Sequence, residues 1–160
     1  MKKNFFLLFF LLLYFLFLHS QIPPQPFPPR LVNDFAQLLT LEEINRLENR
    51  LITFNDSTSN VVCIVTIDDL NGYSASEFAY EIGDQWGVKD TKFNNGVVIL
   101  IKPKNETNGE VYIAVGYDLE PVLTDAQSKR LIDNVLIPNF KQNRYYDGLE
   151  QALNIILPLI

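Results

Sequence analysis

Two apolar runs, Val61-Val-Cys-Ile-Val-Thr-Ile67 and Val97-Val-Ile-Leu-Ile-Lys102, constrain this chain more than any other feature. Both are rich in β-branched residues and show no alternation of apolar and polar positions. A strand of that kind is dry on both faces and needs a covering layer on each side. The flanking segments supply helices for the purpose. Thr40 followed by Glu43 has the form of a capping box, and Leu41, Ile44, Leu47, Leu51 and Phe54 follow at helical spacing, which predicts a helix from Leu41 to Phe54. Ser74 with Glu77 opens a second helix that runs to Gly83 or Trp86. Thr124 with Gln127 opens a third, from Asp125 to about Val135 or on to Lys141, with Pro138 kinking or stopping it. Asp147 to Leu157 reads as the last helix. Glu110 to Val115 forms a third strand, joined to 97–102 by a turn that ends in Asn108-Gly109, so the two pair as an antiparallel hairpin. The order helix, strand, helix, strand, strand, helix, helix predicts an α/β fold, a three-layer α/β/α sandwich with a central mixed β-sheet. The link from 61–67 through a helix to 97–102 has the form of a right-handed crossover.

The first thirty residues read differently. Met1-Lys2-Lys3 is basic, and Phe5 to Leu18 is unbroken apolar sequence, the length of a signal-peptide core and short for a membrane span. Residues 1–20 are therefore expected to be a signal peptide cut after Ser20, with retention as an anchor as the alternative. An exported chain, periplasmic or secreted, follows, with no membrane span after cleavage. Residues 21–30 carry five prolines, which predicts an extended Pro-rich linker. The domain then occupies 31–160. Cleavage removes Lys2 and Lys3, leaving 11 Lys+Arg against 19 Asp+Glu, a formal charge of −8. That field disfavours nucleic acid and anionic lipid and tolerates cations.

Two scarcities narrow the chemistry. The only histidine, His19, leaves with the signal, so imidazole-based acid–base catalysis and histidine–zinc sites are excluded from the mature chain. The only cysteine, Cys63, sits inside an apolar run and reads as a small core side chain; no intrachain disulfide is possible.

What remains is oxygen chemistry. Gly116-Tyr-Asp-Leu-Glu-Pro-Val-Leu-Thr-Asp-Ala-Gln127 places Asp118, Glu120 and Asp125 where a strand hands over to a helix. Carboxylates so gathered suit a hard cation such as Ca²⁺ or Mg²⁺. The same spacing equally suits solvated turn residues, with Asp125 only favourably placed at a helix N-terminus. Asp34 precedes the first helix, Asp68 and Asp69 close the 61–67 strand, and Asp90, Asn94 and Asn95 lie before the 97–102 strand. Each is a possible contributor from a separate loop. Asp34 also reads as a helix-entry cap, and Asn94-Asn95-Gly96 as an ordinary turn.

The segments Val32-Asn-Asp-Phe-Ala-Gln-Leu-Leu-Thr40, Trp86-Gly-Val88, Asn94 to Ile101, Val115 to Ala126, Ile137-Pro-Asn-Phe-Lys141 and Tyr145-Tyr-Asp-Gly-Leu149 resemble, in order, the TPM-domain family of thylakoid-lumen and bacterial envelope proteins. The resemblance runs from about residue 31 to the end. It implies export, an α/β/α sandwich and divalent-metal binding, most often Ca²⁺, through acidic loop residues. By position, Asp34, Glu120 and Asp125 match the family's acidic sites, Asn95-Gly96 its Asn-Gly, and Gly116 its tight-turn glycine. Asp118 replaces a second family glycine, adding a ligand or reshaping the loop. The implied metal set is thus Asp34, Asp118, Glu120, Asp125 and Asn95, with Gly116 and Gly96 as turn residues. The expected function is a calcium-binding interaction or assembly and repair factor in the cell envelope, partnered by a divalent cation and by envelope or membrane proteins. The alternative is a metal-dependent acid phosphatase. For that, Asp125 or Glu120 would ready a water, and Lys89, Lys92 or Arg130 would contact phosphate.

Overall fold

The computed structural model describes residues 22–88 and 94–160. The expected signal peptide, and Lys89, Asp90, Lys92 and Phe93, lie outside the described residues. Four strands form one sheet: β1 (Val32–Asp34), β2 (Val61–Thr66), β3 (Gly96–Lys102) and β4 (Glu110–Val115). They lie in that spatial order, with β1, β2 and β3 parallel and β4 antiparallel to β3. Helices α1 (Leu41–Thr58) and α2 (Ala75–Gln85) alternate with the first strands, and α3 (Asp125–Leu131), α4 (Ile137–Phe140) and α5 (Tyr145–Ile156) follow the last. The sheet is mixed and covered on both faces, as the double-sided apolar runs require.

Each sheet face has its own core. Ile64, Val97, Ile99 and Ile101 point into a cluster with Leu47 and Leu51 of α1 and Leu149 and Leu153 of α5. The alternate residues Cys63, Val65, Val98 and Leu100 pack with Phe78, Ala79 and Ile82 of α2. The strict two-residue alternation of the strands divides these sets between the faces. All three predicted capping boxes are present: Thr40 with Glu43, Ser74 with Glu77, and Thr124 with Gln127. In each, the hydroxyl accepts from the third helical N–H while the partner side chain accepts from the cap N–H, satisfying two orphan donors.

The structure departs from the sequence reading at three places. β1 is a three-residue strand that periodicity does not reveal. It is held by a tertiary contact: both Glu48 oxygens, on α1, accept from its entry, Leu31 N at 3.0 Å and Val32 N at 2.7 Å. Helix α1 runs on through the polar 55–58 segment and ends at Ser59, which takes φ 66°. There the Ser57 and Thr58 hydroxyls bond back to the Phe54 carbonyl. Pro138 neither stops the helix nor bends it simply. Lacking an N–H, it is preceded by a π turn over Ile132–Leu136, and Asn139 Nδ2 donates to the Val135 carbonyl at 2.8 Å.

The Pro-rich segment carries no helix or strand over residues 22–30, bends at Phe27-Pro28, and is seated on the domain. Ile22 is buried in the α2-side core. Trp86 Nε1 donates to the Pro23 carbonyl at 2.8 Å, and Gln25 Nε2 donates to the Trp86 carbonyl at 3.0 Å. Among the described residues no helix is long and apolar enough to cross a membrane.

Cys63 is 2% exposed, and burial pushes its thiol up from 9.0 to about 12. The folded-state value exceeds the unfolded one, so the contribution to stability is complete below about pH 9 and is lost as pH rises toward about 12. Native protein at pH 8 should therefore leave the thiol unlabelled by iodoacetamide, whereas urea-unfolded protein should label fully. Rapid labelling of the native state would contradict the burial.

Candidate metal centre

The predicted ligands divide between opposite ends of the sheet. Asp34 lies at the carboxyl end of β1, where the register runs Asp34, Thr66, Ile101, Val111 across the four strands. Gly116 lies past the other end of β4. Five residues along β4 and three ladders across separate Asp34 from the Gly116 turn by about 20 Å. Asp34 therefore does not share a cation with Glu120 and Asp125. Its carboxylate is already used: Oδ1 accepts from Leu38 N at 3.0 Å and from the Thr66 hydroxyl, and Oδ2 accepts from Leu39 N at 2.9 Å. The Thr66 hydroxyl accepts in turn from Ala36 N. This network folds the 34–39 connection between β1 and α1, so the helix-entry reading of Asp34 describes its contacts.

At the amino end of β3, two short segments are pressed together. Gly116 N donates to the Gly96 carbonyl at 2.8 Å, and Asp118 N donates to the Asn94 carbonyl at 3.0 Å. A Cβ on Gly116 would lie 2.2 Å from the Asn94 oxygen and 2.6 Å from its carbonyl carbon. Gly116 is needed for close approach of two backbones. Gly96 is the buried first residue of β3 rather than a free turn residue, paired in register with Val61. Asn95 looks the other way: its Nδ2 donates to the Ser59 carbonyl at 3.2 Å and faces Asn60 Oδ1 at 3.5 Å. Its amide thus braces the α1–β2 connection.

The acidic turn is fixed from below and open above. Leu119 and Leu123 are buried in the core on the α1 and α5 face, anchoring the segment at both ends. Asp118, Glu120 and Asp125 are exposed. Glu120 and Asp125 both act on the phenol of Tyr80, on α2. Tyr80 holds its proton above the ordinary range through partial burial first, then Tyr112, Asp125 and Glu120. Two carboxylates from either side of Pro121 therefore lie within electrostatic range of one phenol. Among the described residues, no three acidic, thiol or imidazole groups converge as a metal cage. The donors present here are oxygens, which suits Ca²⁺ or Mg²⁺ rather than zinc. The Tyr80–Tyr112 pair, with ring centroids 6.2 Å apart, is a part of this surface that the sequence reading missed. The two tyrosines lie 32 residues apart in sequence, and only the packing of α2 on β4 brings them together.

The model of the TPM domain matches residues 32–157. The solution structure of the N-terminal domain of a P. gingivalis protein is similar, with 28% identity, a TM-score of 0.71 and 81% of each chain covered. The N-terminal domain of a Corynebacterium glutamicum protein shares the fold at 13% identity and a TM-score of 0.62, over 88% of this chain and 85% of that one. No curated protein matches the chain. The family match covers nearly all of the folded region and both sheet faces: this chain belongs to the TPM domain family.

Proposed function

We propose that this protein is an exported TPM domain that binds a divalent cation, Ca²⁺ in preference to Mg²⁺, at the turn from Gly116 to Asp125. In this reading it serves in the periplasm or outside the cell as an interaction or assembly and repair factor for envelope proteins. The observation that supports it is the turn that Gly116 locks against the 94–96 backbone, with Glu120 and Asp125 both within electrostatic range of Tyr80. Glu120 and Asp125 would hold the ion, with no third acidic group converging on it among the described residues. Waters and backbone carbonyls are ordinary partners for calcium and complete a sparse carboxylate set. A bound cation would neutralise part of the acidic surface and order the turn, giving a partner a fixed face to dock on.

Terbium titration tests this directly. Tyr80 lies within electrostatic range of both carboxylates, so a bound Tb³⁺ should show emission sensitised by tyrosine and displaced by Ca²⁺. Calcium at ten times its Kd should stabilise the fold by about 1.4 kcal/mol through mass action. Glu120→Gln with Asp125→Asn should abolish both effects without unfolding the chain. Sensitised emission and a calcium-dependent melting shift that survive the double change would refute the assignment. The competing reading, a metal-dependent phosphatase, makes a separate claim. It requires release of phosphate from small esters and loss of that activity in folded Asp125→Ala.

A further inference from the structure

The opposite end of β3 carries a second site, independent of the acidic turn. A cavity of about 620 Å³ opens where the β3–β4 hairpin meets the turn between α4 and α5. That volume is within the range of small-ligand pockets, and the location lies beyond the carboxyl end of a parallel strand, where α/β sheets collect ligands. Its walls are mixed, with apolar side chains on the sheet and helix sides. Ile101 and Val111 face it from the sheet, and Ile137, Phe140 and Tyr145 from the helices. The Phe140 and Tyr145 rings are tilted by 32° with centroids 4.9 Å apart, forming one continuous aromatic wall. Gly148 sets that wall: a Cβ there would lie 2.8 Å from Phe140 Cε1, so only glycine lets α5 approach this closely.

The polar groups at the mouth have one dominant sign. Lys104 and Lys141 both line the cavity and are exposed, and neither is in an ion pair among the described residues. Glu110 is the one acid among the lining residues. By strand alternation its side chain falls on the α2 face of β4, away from Val111. Lys102, also on the lining, is 6% exposed, and its ammonium donates to Thr107 Oγ1 at 2.6 Å and the Asn108 carbonyl at 2.7 Å. It closes the hairpin loop, and the two rim lysines remain for a ligand. In a chain of formal charge −6, two lysines outside any ion pair at the mouth of a partly apolar cavity are a local reversal of sign.

We infer that the cavity between the β3–β4 hairpin and the α4–α5 turn binds a small amphipathic anion, its apolar body against Phe140 and Tyr145 and its carboxylate at Lys104 and Lys141. The charge complementarity sets the head group, and the Phe140–Tyr145 ring pair sets the body. An aliphatic acid and an aromatic acid share this chemistry.

Amide shifts of the full chain, followed during titration with octanoate, phenylbutyrate and neutral phenylbutanol, decide it. Saturable shifts are expected at Ile101, Val111, Phe140, Lys141 and Tyr145. Phenylbutyrate should bind ~5-fold tighter than phenylbutanol, the margin two exposed lysines supply. Lys104→Glu with Lys141→Glu, both exposed and tolerant of change, should erase that margin. Tighter binding of octanoate identifies an aliphatic acid as the physiological class, and tighter binding of phenylbutyrate an aromatic one; either supports the site. Equal affinity for the alcohol, absence of saturation, or shifts confined to the acidic turn would overturn it. Loss of terbium binding has no bearing on the result, so the two sites can fail separately.

Discussion

Gly116→Ala is expected to lower stability by about 3 kcal/mol or more, the largest effect predicted for a single methyl group in this chain. The added Cβ would stand 2.2 Å from the Asn94 oxygen, 2.6 Å from the Asn94 carbon and 3.1 Å from Gly96 N. All three are backbone atoms, so no side chain can swing aside. Relief requires the 94–96 segment to part from the 116–118 turn, which breaks the bonds from Gly116 N to Gly96 O and from Asp118 N to Asn94 O. Both belong to the start of β3, the most buried strand, so the damage reaches the core. For a domain of this size the melting temperature should fall by roughly 10 °C. Because the same contact fixes the acidic turn, the variant should also lose the calcium response proposed for that turn. Urea unfolding monitored by Trp86 fluorescence is a direct measurement. A change within about 0.5 kcal/mol of the parent, the range of ordinary surface substitutions, would show that the two backbones are not so close.

Asp34→Ala should cost about 2–4 kcal/mol, because it strips acceptors from several donors at once. Leu38 N, Leu39 N and the Thr66 hydroxyl all lose their partner. Asp34→Asn keeps one acceptor oxygen and should recover roughly half of that loss. The calcium response is the discriminating readout. With Asp34 some 20 Å from Glu120 by strand geometry, both variants should leave the proposed terbium and calcium binding unchanged. Selective loss of cation binding with full stability would reverse the assignment and restore Asp34 to the metal set.

These two residues show how position in the chain and position in space part company. Asp34, Glu120 and Asp125 are all acidic and all adjoin a helix start, so nothing local tells them apart. Strand direction does. Asp34 follows a parallel strand and Gly116 follows the one antiparallel strand, so the two connections emerge at opposite ends of the sheet. The turn from Gly116 to Gln127 was legible as a unit because its carboxylates, its glycine and its capping box lie within twelve residues. Asn95 was legible as part of an Asn-Gly turn that resembles the family's, but its side chain braces Ser59 and Asn60, a contact 36 residues away that no local pattern encodes.

By itself the sequence determined the covered sheet, the three capped helix starts, the hairpin and the inert buried thiol. Each rests on interactions within one element: strand polarity, reciprocal caps at three-residue spacing, and desolvation of an apolar run. Tertiary structure alone decided the short β1 strand held by Glu48, the π turn before Pro138, the separation of Asp34 from the acidic turn, and the lysine-rimmed cavity. The π turn answers the missing Pro138 N–H beside it; the others depend on contacts between elements distant in sequence, whose geometry follows from strand order and direction.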